Sequence, residues 1–172
     1  MDGDGDIDVL SGSHNDDTVA WYENDGSQGF IDRLVTTSAD GVYSIFAIDV
    51  DGDGDIDALS ASNRDDTVAW YENDGSQGFT RRVITTTADA VFQIFAIDLD
   101  EDGDVDVLSA SYNDDTVAWY ENNGNEAFTK RVITTSADGA SGVFAIDVDG
   151  DSDIDVLSVS QRIGTVAWYE NN

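Results

Sequence analysis

Apolar and polar residues alternate along this chain in short runs, and nowhere do they recur at the three-to-four spacing of an amphipathic helix. Within residues 40–88, four runs rich in Val, Ile, Thr, Tyr, Phe and Trp are separated by turn residues, which is the pattern of short β-strands. They predict strands at about 42–48, 56–62, 67–73 and 79–86, termed A to D. The connections are an Asp-rich loop (A to B), Asn63-Arg64-Asp65-Asp66 (B to C), Asp74-Gly75-Ser76-Gln77-Gly78 (C to D) and Thr87-Ala88-Asp89 (D to the next A). Both faces of these strands carry apolar side chains: Phe46 and Ile48 point opposite to Ile45 and Ala47, and Trp70 opposite to Tyr71. A sheet wet on one side would alternate more cleanly, so each sheet is expected to be packed on both faces.

The pattern repeats with a period of 49. Trp21, Trp70, Trp119 and Trp168 each sit in Thr-Val-Ala-Trp-Tyr-Glu-Asn, and Asp51, Asp100 and Asp149 keep the same spacing. So do Phe30, Phe79 and Phe128, and Arg33, Arg82 and Arg131. Four-stranded antiparallel sheets recurring at this length are the blades of a β-propeller. The expected fold is therefore all-β, about 3.5 tandem 49-residue repeats in a single array. Residues 1–39 form a partial blade with strands B to D, 40–88 and 89–137 form two blades, and 138–172 form a partial blade with strands A to C. That makes fourteen strands, in a propeller that is incomplete or assembled with other chains. Two chains would supply the strand number of a seven-bladed ring, but with six A and six D strands against eight B and eight C. A clean homodimeric ring is not implied, whereas head-to-tail contacts that fail to close would build a fibre.

Charge adds a requirement. The chain carries 37 Asp plus Glu against 7 Lys plus Arg, a net of −30; a compact body with that charge repels itself unless cations accompany it. Nucleic acid is excluded as a partner, because affinity for phosphates comes largely from basic residues. The absence of Cys excludes disulfides and thiolate metal sites. No apolar run has the length of a membrane span. No nucleophile and base pair stands out either, since His14 is the single histidine and carboxylates are too abundant to be informative. Catalysis is not expected.

The acids are concentrated. Asp49-Val50-Asp51-Gly52-Asp53-Gly54-Asp55-Ile56-Asp57 places carboxylates at loop positions 1, 3, 5, 7 and 9, and the four copies of this loop hold 20 of the 37 acids. Calcium takes six to eight oxygens in flexible geometry, and a tight loop with Gly at position 6 can wrap carboxylates and a carbonyl around one ion. An EF-hand would carry Glu at position 12, where this chain has Ser60 at the heart of a strand.

The segment 46–60, Phe-Ala-Ile-Asp-Val-Asp-Gly-Asp-Gly-Asp-Ile-Asp-Ala-Leu-Ser, resembles the FG-GAP/VCBS repeat of integrin-α-like propellers, and the resemblance extends over the whole chain. It implies one Ca2+ per repeat, held by side chains at positions 1, 3, 5 and 9 and a main-chain oxygen at position 7. The implied side-chain ligands are Asp49, Asp51, Asp53 and Asp57, then Asp98, Asp100, Asp102 and Asp106, then Asp147, Asp149, Asp151 and Asp155. Asp55, Asp104 and Asp153 offer carbonyls. The first copy holds Asp2, Asp4, Asp6 and Asp8 but has no position 1, so three sites are complete and one is partial. Glu101 replaces a glycine at position 4, and Ser152 stands at position 6, where a positive φ would suit glycine. The fourth site is expected to be the weaker for it.

The remaining repeated residues have two readings each. The Trp-Tyr pairs suit blade-to-blade core better than a sugar-stacking platform, and the strand D arginines suit edge protection and pairing with acids better than glycan binding. The copies differ most in the B to C loops, at His14, Asn63, Tyr112 and Gln161, and at the start of strand A, at Val42-Tyr43-Ser44, Val91-Phe92-Gln93 and Ala140-Ser141-Gly142. Loop variation on a rigid scaffold tunes recognition, so these four loop residues are candidate ligand contacts. The leading expectation is a non-catalytic calcium-binding module for recognition or adhesion, extracellular or at the cell surface, with a protein or glycan ligand. The alternatives are a self-assembling structural protein and the accessory propeller of a secreted polysaccharide-acting enzyme.

Overall fold

The computed structural model describes residues 1–172 and contains no helix long and apolar enough to cross a membrane. Fourteen strands form four antiparallel sheets. The first holds β1 (Val9–Ser13), β2 (Thr18–Asn24) and β3 (Phe30–Thr36). The second holds β4 (Val42–Ile48), β5 (Asp57–Ser62), β6 (Thr67–Asn73) and β7 (Phe79–Thr85). The third holds β8 (Val91–Ile97), β9 (Asp106–Ser111), β10 (Thr116–Asn122) and β11 (Phe128–Thr134), and the fourth β12 (Ala140–Ile146), β13 (Asp155–Ser160) and β14 (Thr165–Tyr169). Strands are ordered in each sheet as in the sequence.

Strands A and C of the second sheet have the bounds expected from the pattern; the other two differ by one residue, for local reasons. β5 starts at Asp57, because Ile56 still belongs to the Asp loop and is exposed. β7 stops at Thr85, whose hydroxyl accepts the Thr87 N–H (3.2 Å) and turns the chain out of the ladder. A register shift recurs in strand C of the first three sheets, between Val68 and Ala69 in the second, and such bulges increase twist.

Cross-strand register sets each face. Phe46, Leu59, Trp70 and Arg82 lie side by side across the second sheet, and Ala47, Ala58, Tyr71 and Arg81 form the adjacent row on the other face. The first row faces the third sheet: Leu59 and Trp70 pack with Ile94, Val107 and Tyr120 in a twelve-residue buried cluster. The second row faces the first sheet, where Ala58 and Tyr71 meet Leu10 and Val35. The same arrangement joins the third and fourth sheets through Leu108, Val117 and Val156. The Trp-Tyr pairs are thus inter-sheet core wherever a neighbour exists, with Trp70 and Tyr71 each 1% exposed. Phe144, Val166 and Trp168 on the outward face of the fourth sheet are exposed, as are Val9 and Leu34 in the first.

The A strands line up from sheet to sheet, with Phe46, Phe95 and Phe144 in successive ring contacts (centroids 5.3 and 4.7 Å apart). The Asp loops, one in each sheet before β1, β5, β9 and β13, all lie at the same end of the strands. At the opposite end each sheet is pinned to the next: Asp17, Asp66 and Asp115 accept the N–H of Gly41, Ala90 and Gly139 at 2.8–2.9 Å.

Candidate metal centres

Each Asp loop is folded by its own carboxylates. Asp49 accepts the N–H of Gly52 (2.8 Å) with one oxygen and of Gly54 (3.0 Å) with the other. Asp147 does the same with Gly150 (2.6 Å) and Ser152 (3.2 Å). Asp51 then accepts the N–H of Asp53, and Asp53 that of Asp55 (2.9 Å). This tight winding requires a positive φ at positions 4 and 6: 75° and 98° at Gly52 and Gly54. Glu101 takes φ 60° at position 4 of the third loop and Ser152 takes 87° at position 6 of the fourth. The sequence pointed to the strain at Ser152; the parallel demand at position 4 emerges only from the backbone.

The position-9 aspartates are buried and hold the loop to the far end of strand C. Asp57 accepts Val50 N–H (2.9 Å) with one oxygen and Asn73 N–H (2.7 Å) with the other. Asp106 repeats this with Leu99 (3.1 Å) and Asn122 (2.7 Å), and Asp155 with Val148 (3.0 Å) and Asn171 (2.8 Å). Asp8 accepts from Asn24 N–H (2.9 Å) and from the Met1 α-ammonium. These asparagines end each Thr-Val-Ala-Trp-Tyr-Glu-Asn run. Their strict recurrence is the one trace of this role in the sequence.

Three loops bring carboxylates together. One oxygen each of Asp49, Asp51 and Asp53 lies within 4.8 Å of the others, and so do those of Asp98, Asp100 and Asp106 and of Asp147, Asp149 and Asp155. The grouping is therefore not identical from copy to copy: position 5 joins in the second loop, position 9 in the third and fourth. Asp102 and Asp151 are exposed and stand outside the triads. The position-7 side chains turn away: those of Asp6, Asp55 and Asp104 lie against the C to D turn, where a Cβ on Gly26, Gly75 or Gly124 would collide with them. Asp2 and Asp4 accept the N–H of Asp4 and Asp6 as in the other loops, without forming a triad.

The model of the FG-GAP-like repeat matches residues 1–60, 49–109 and 98–158, three tandem matches that span most of the chain. The chain belongs to the FG-GAP-like repeat family. Each match runs from one Asp loop to just past the next, so the loops punctuate the family unit. None of the curated proteins compared matches the chain.

Whether the FG-GAP-like loops suit a cation can be judged from their own electrostatics. Burial, helped by the charges of Asp51 and Asp49, raises the Asp57 carboxyl to about 7, against the two N–H bonds it accepts. Asp106 is raised to about 6 for the same first reason, with Asp100 adding. Asp51, Asp100 and Asp149 at position 3 are also raised, by burial and by neighbouring carboxylates. Asp155 is lowered instead, by the N–H groups of Asn171 and Val148. One oxygen of Asp98 is buried without any partner, since Glu101 does not offer the N–H that Gly52 gives to Asp49. Crowded carboxylates and a stranded carboxylate oxygen are the features a bound cation relieves, so the residues fit a metal ion.

The variable loop residues go to the other end. His14 meets Tyr43 edge-on (5.8 Å), Tyr43 meets Phe92 (4.5 Å), Phe92 stacks on Tyr112 (4.8 Å, 25°), and the Arg162 guanidinium covers Tyr112 at 4.4 Å. This ladder crosses all four sheets, with Tyr43 still 55% exposed. Asn63 donates to the Val91 carbonyl (3.4 Å) and Gln161 is exposed. The four candidate ligand contacts are thus not gathered into one pocket. On strand D, Arg33, Arg82 and Arg131 pair with Glu23, Glu72 and Glu121 of the adjacent strand C. Arg82 also reaches Glu126 of the next sheet (2.9 Å).

Proposed function

We propose that this FG-GAP-like array is a non-catalytic, calcium-stabilised module that presents a rigid recognition surface outside the cell. The observation that carries it is the convergence of three carboxylates in each of three loops of the same construction. The donors are all hard oxygens, which suits calcium, magnesium or manganese rather than softer metals. A flexible loop offering several carboxylates favours calcium over magnesium, which demands a small octahedral shell. Weak loops of this kind fill at extracellular calcium levels, and the lack of cysteine is compatible with that setting. The non-catalytic reading draws on the single histidine, His14, which sets its ring edge-on to Tyr43 at the foot of the aromatic ladder.

Isothermal titration of chelator-treated protein is the direct test. Saturable heat with calcium, close to one ion per complete loop and much weaker with magnesium, is expected; no heat with calcium would sink the proposal. Screening protein and glycan ligands with calcium and with chelator then tests recognition, which should require the calcium-loaded state.

A second reading, self-assembly, is favoured by the open faces. Phe144, Val166 and Trp168 at one end and Val9 and Leu34 at the other are exposed, while the matching faces inside the array are covered by neighbours. Sedimentation equilibrium showing a mass that rises with concentration would support it, and a monomer throughout would exclude it.

A further inference from the structure

The loops are connected in series by hydrogen bonds that cross from one sheet to the next. Asn73 donates through its side-chain amide to the Met1 carbonyl (3.0 Å), while its own N–H is held by Asp57. Asp57 holds the Val50 N–H, and the Val50 carbonyl accepts from the Asn122 side-chain amide (3.5 Å). The Asn122 N–H is held by Asp106, which also takes the Leu99 N–H. There the line stops: the side-chain amide of Asn171 keeps only the bond within its own sheet, to Ile154 (3.3 Å), which Asn73 and Asn122 also make, to Ile56 (3.0 Å) and Val105 (3.1 Å), beside their inter-sheet bonds. Asn24, in the first sheet, likewise donates only to Ile7 (3.2 Å).

We propose that Asn122 couples two metal loops, so that calcium in the loop 49–57 raises the calcium affinity of the loop 98–106, and the reverse. This rests on the calcium reading above. Val50 lies between Asp49 and Asp51, two members of the same triad, so an ion there fixes the peptide planes on both sides of Val50. Val50 is buried, and a buried carbonyl has to be paired; its partner is the Asn122 amide. Fixing Asn122 orients Asp106, a member of the next triad. Ordering incurred at the first loop is not incurred again at the second, which makes the second binding tighter. Because coupling is a free energy shared by the two sites, the effect is reciprocal.

The test is a calcium titration of the chelator-treated full chain followed by amide NMR, which resolves the loops: Gly54 reports on 49–57, Gly103 on 98–106 and Ser152 on 147–155. Work at physiological ionic strength screens the removal of charges beyond about 8 Å. Disabling the first of these loops with Asp51→Asn and Asp53→Asn should move the Gly103 midpoint to about fivefold higher calcium, the low end of measured couplings, and leave Ser152 unmoved. In an Asn122→Ala background the same pair should leave the Gly103 midpoint where Asn122→Ala alone puts it. Asn171→Ala, which removes an equivalent bond inside one sheet, should preserve the coupling. A Gly103 midpoint indifferent to the disabled loop overturns the proposal, even if Asn122→Ala does not fold. Coupling that persists in Asn122→Ala also overturns it, and would move the link to the Arg82–Glu126 bridge. No calcium-dependent shift in any loop would instead defeat the calcium reading, and the coupling with it.

Discussion

Ser152 and Glu101 occupy loop positions where the backbone turns left-handed, and they do so unequally. At φ 60° Glu101 is in the region that L-residues occasionally visit, whereas φ 87° at Ser152 lies beyond it. Ser152→Gly should stabilise the metal-free chain by about 1 kcal/mol, and Glu101→Gly by less, read by urea unfolding in chelator. The aspartates divide in a similar way. Asp57 holds two N–H groups with or without a metal, so Asp57→Ala should cost about 1–3 kcal/mol even in chelator, the penalty of stranded buried donors. Asp53 is exposed and bonds only along its own loop. Asp53→Ala should change metal-free stability by less than about 0.5 kcal/mol while weakening calcium binding, which titration would reveal. The spacing of these aspartates was plain in the chain. Their separation into a structural and a purely loop-borne group was not, because it depends on which oxygens the distant asparagines occupy.

Strands A and C could be delimited from alternation alone, since their ends coincide with changes of composition at Val42, Ile48, Thr67 and Asn73. Strands B and D could not, because Ile56 and Thr86 look like strand residues but are drawn into a loop and a hydroxyl-capped turn. The Thr-Val-Ala-Trp-Tyr-Glu-Asn strand makes the dependence on neighbours measurable. Trp70 is sealed between two sheets and Trp168 is 45% exposed. Trp70→Ala should therefore cost about 3–5 kcal/mol, and Trp168→Ala less than about 1 kcal/mol, in denaturant unfolding followed by circular dichroism. Similar losses at both positions would mean that the fourth sheet is covered in solution.

Across the array, sheets touch only their neighbours, so stability is close to a sum of sheet and interface contributions. A net charge of −30 opposes that sum, and more than half of the acids sit in the four loops. Calcium should act on stability directly: at a hundred times its dissociation constant each occupied loop adds about 2.7 kcal/mol. Thermal unfolding is expected to fall steeply on chelation, and sodium chloride should restore only part of the loss, because screening reaches exposed charges better than the buried position-9 groups. Full rescue by salt alone would indicate charge repulsion without specific sites.

Local chemistry was enough to determine the repeat, the strand periodicity and the loops. Alternation, Asp-Gly spacing and a 49-residue period are properties of adjacent residues, and they hold whatever packs against them. Packing decided the rest. Identical residues become core or surface according to whether another sheet lies over them, as Trp70 and Trp168 show. The bonds that join the loops span 16 residues from Asp57 to Asn73 and 72 from Asn122 to Val50. Such contacts exist only once the sheets are stacked, because a hydrogen bond is a property of two groups in space and no local pattern records its partner.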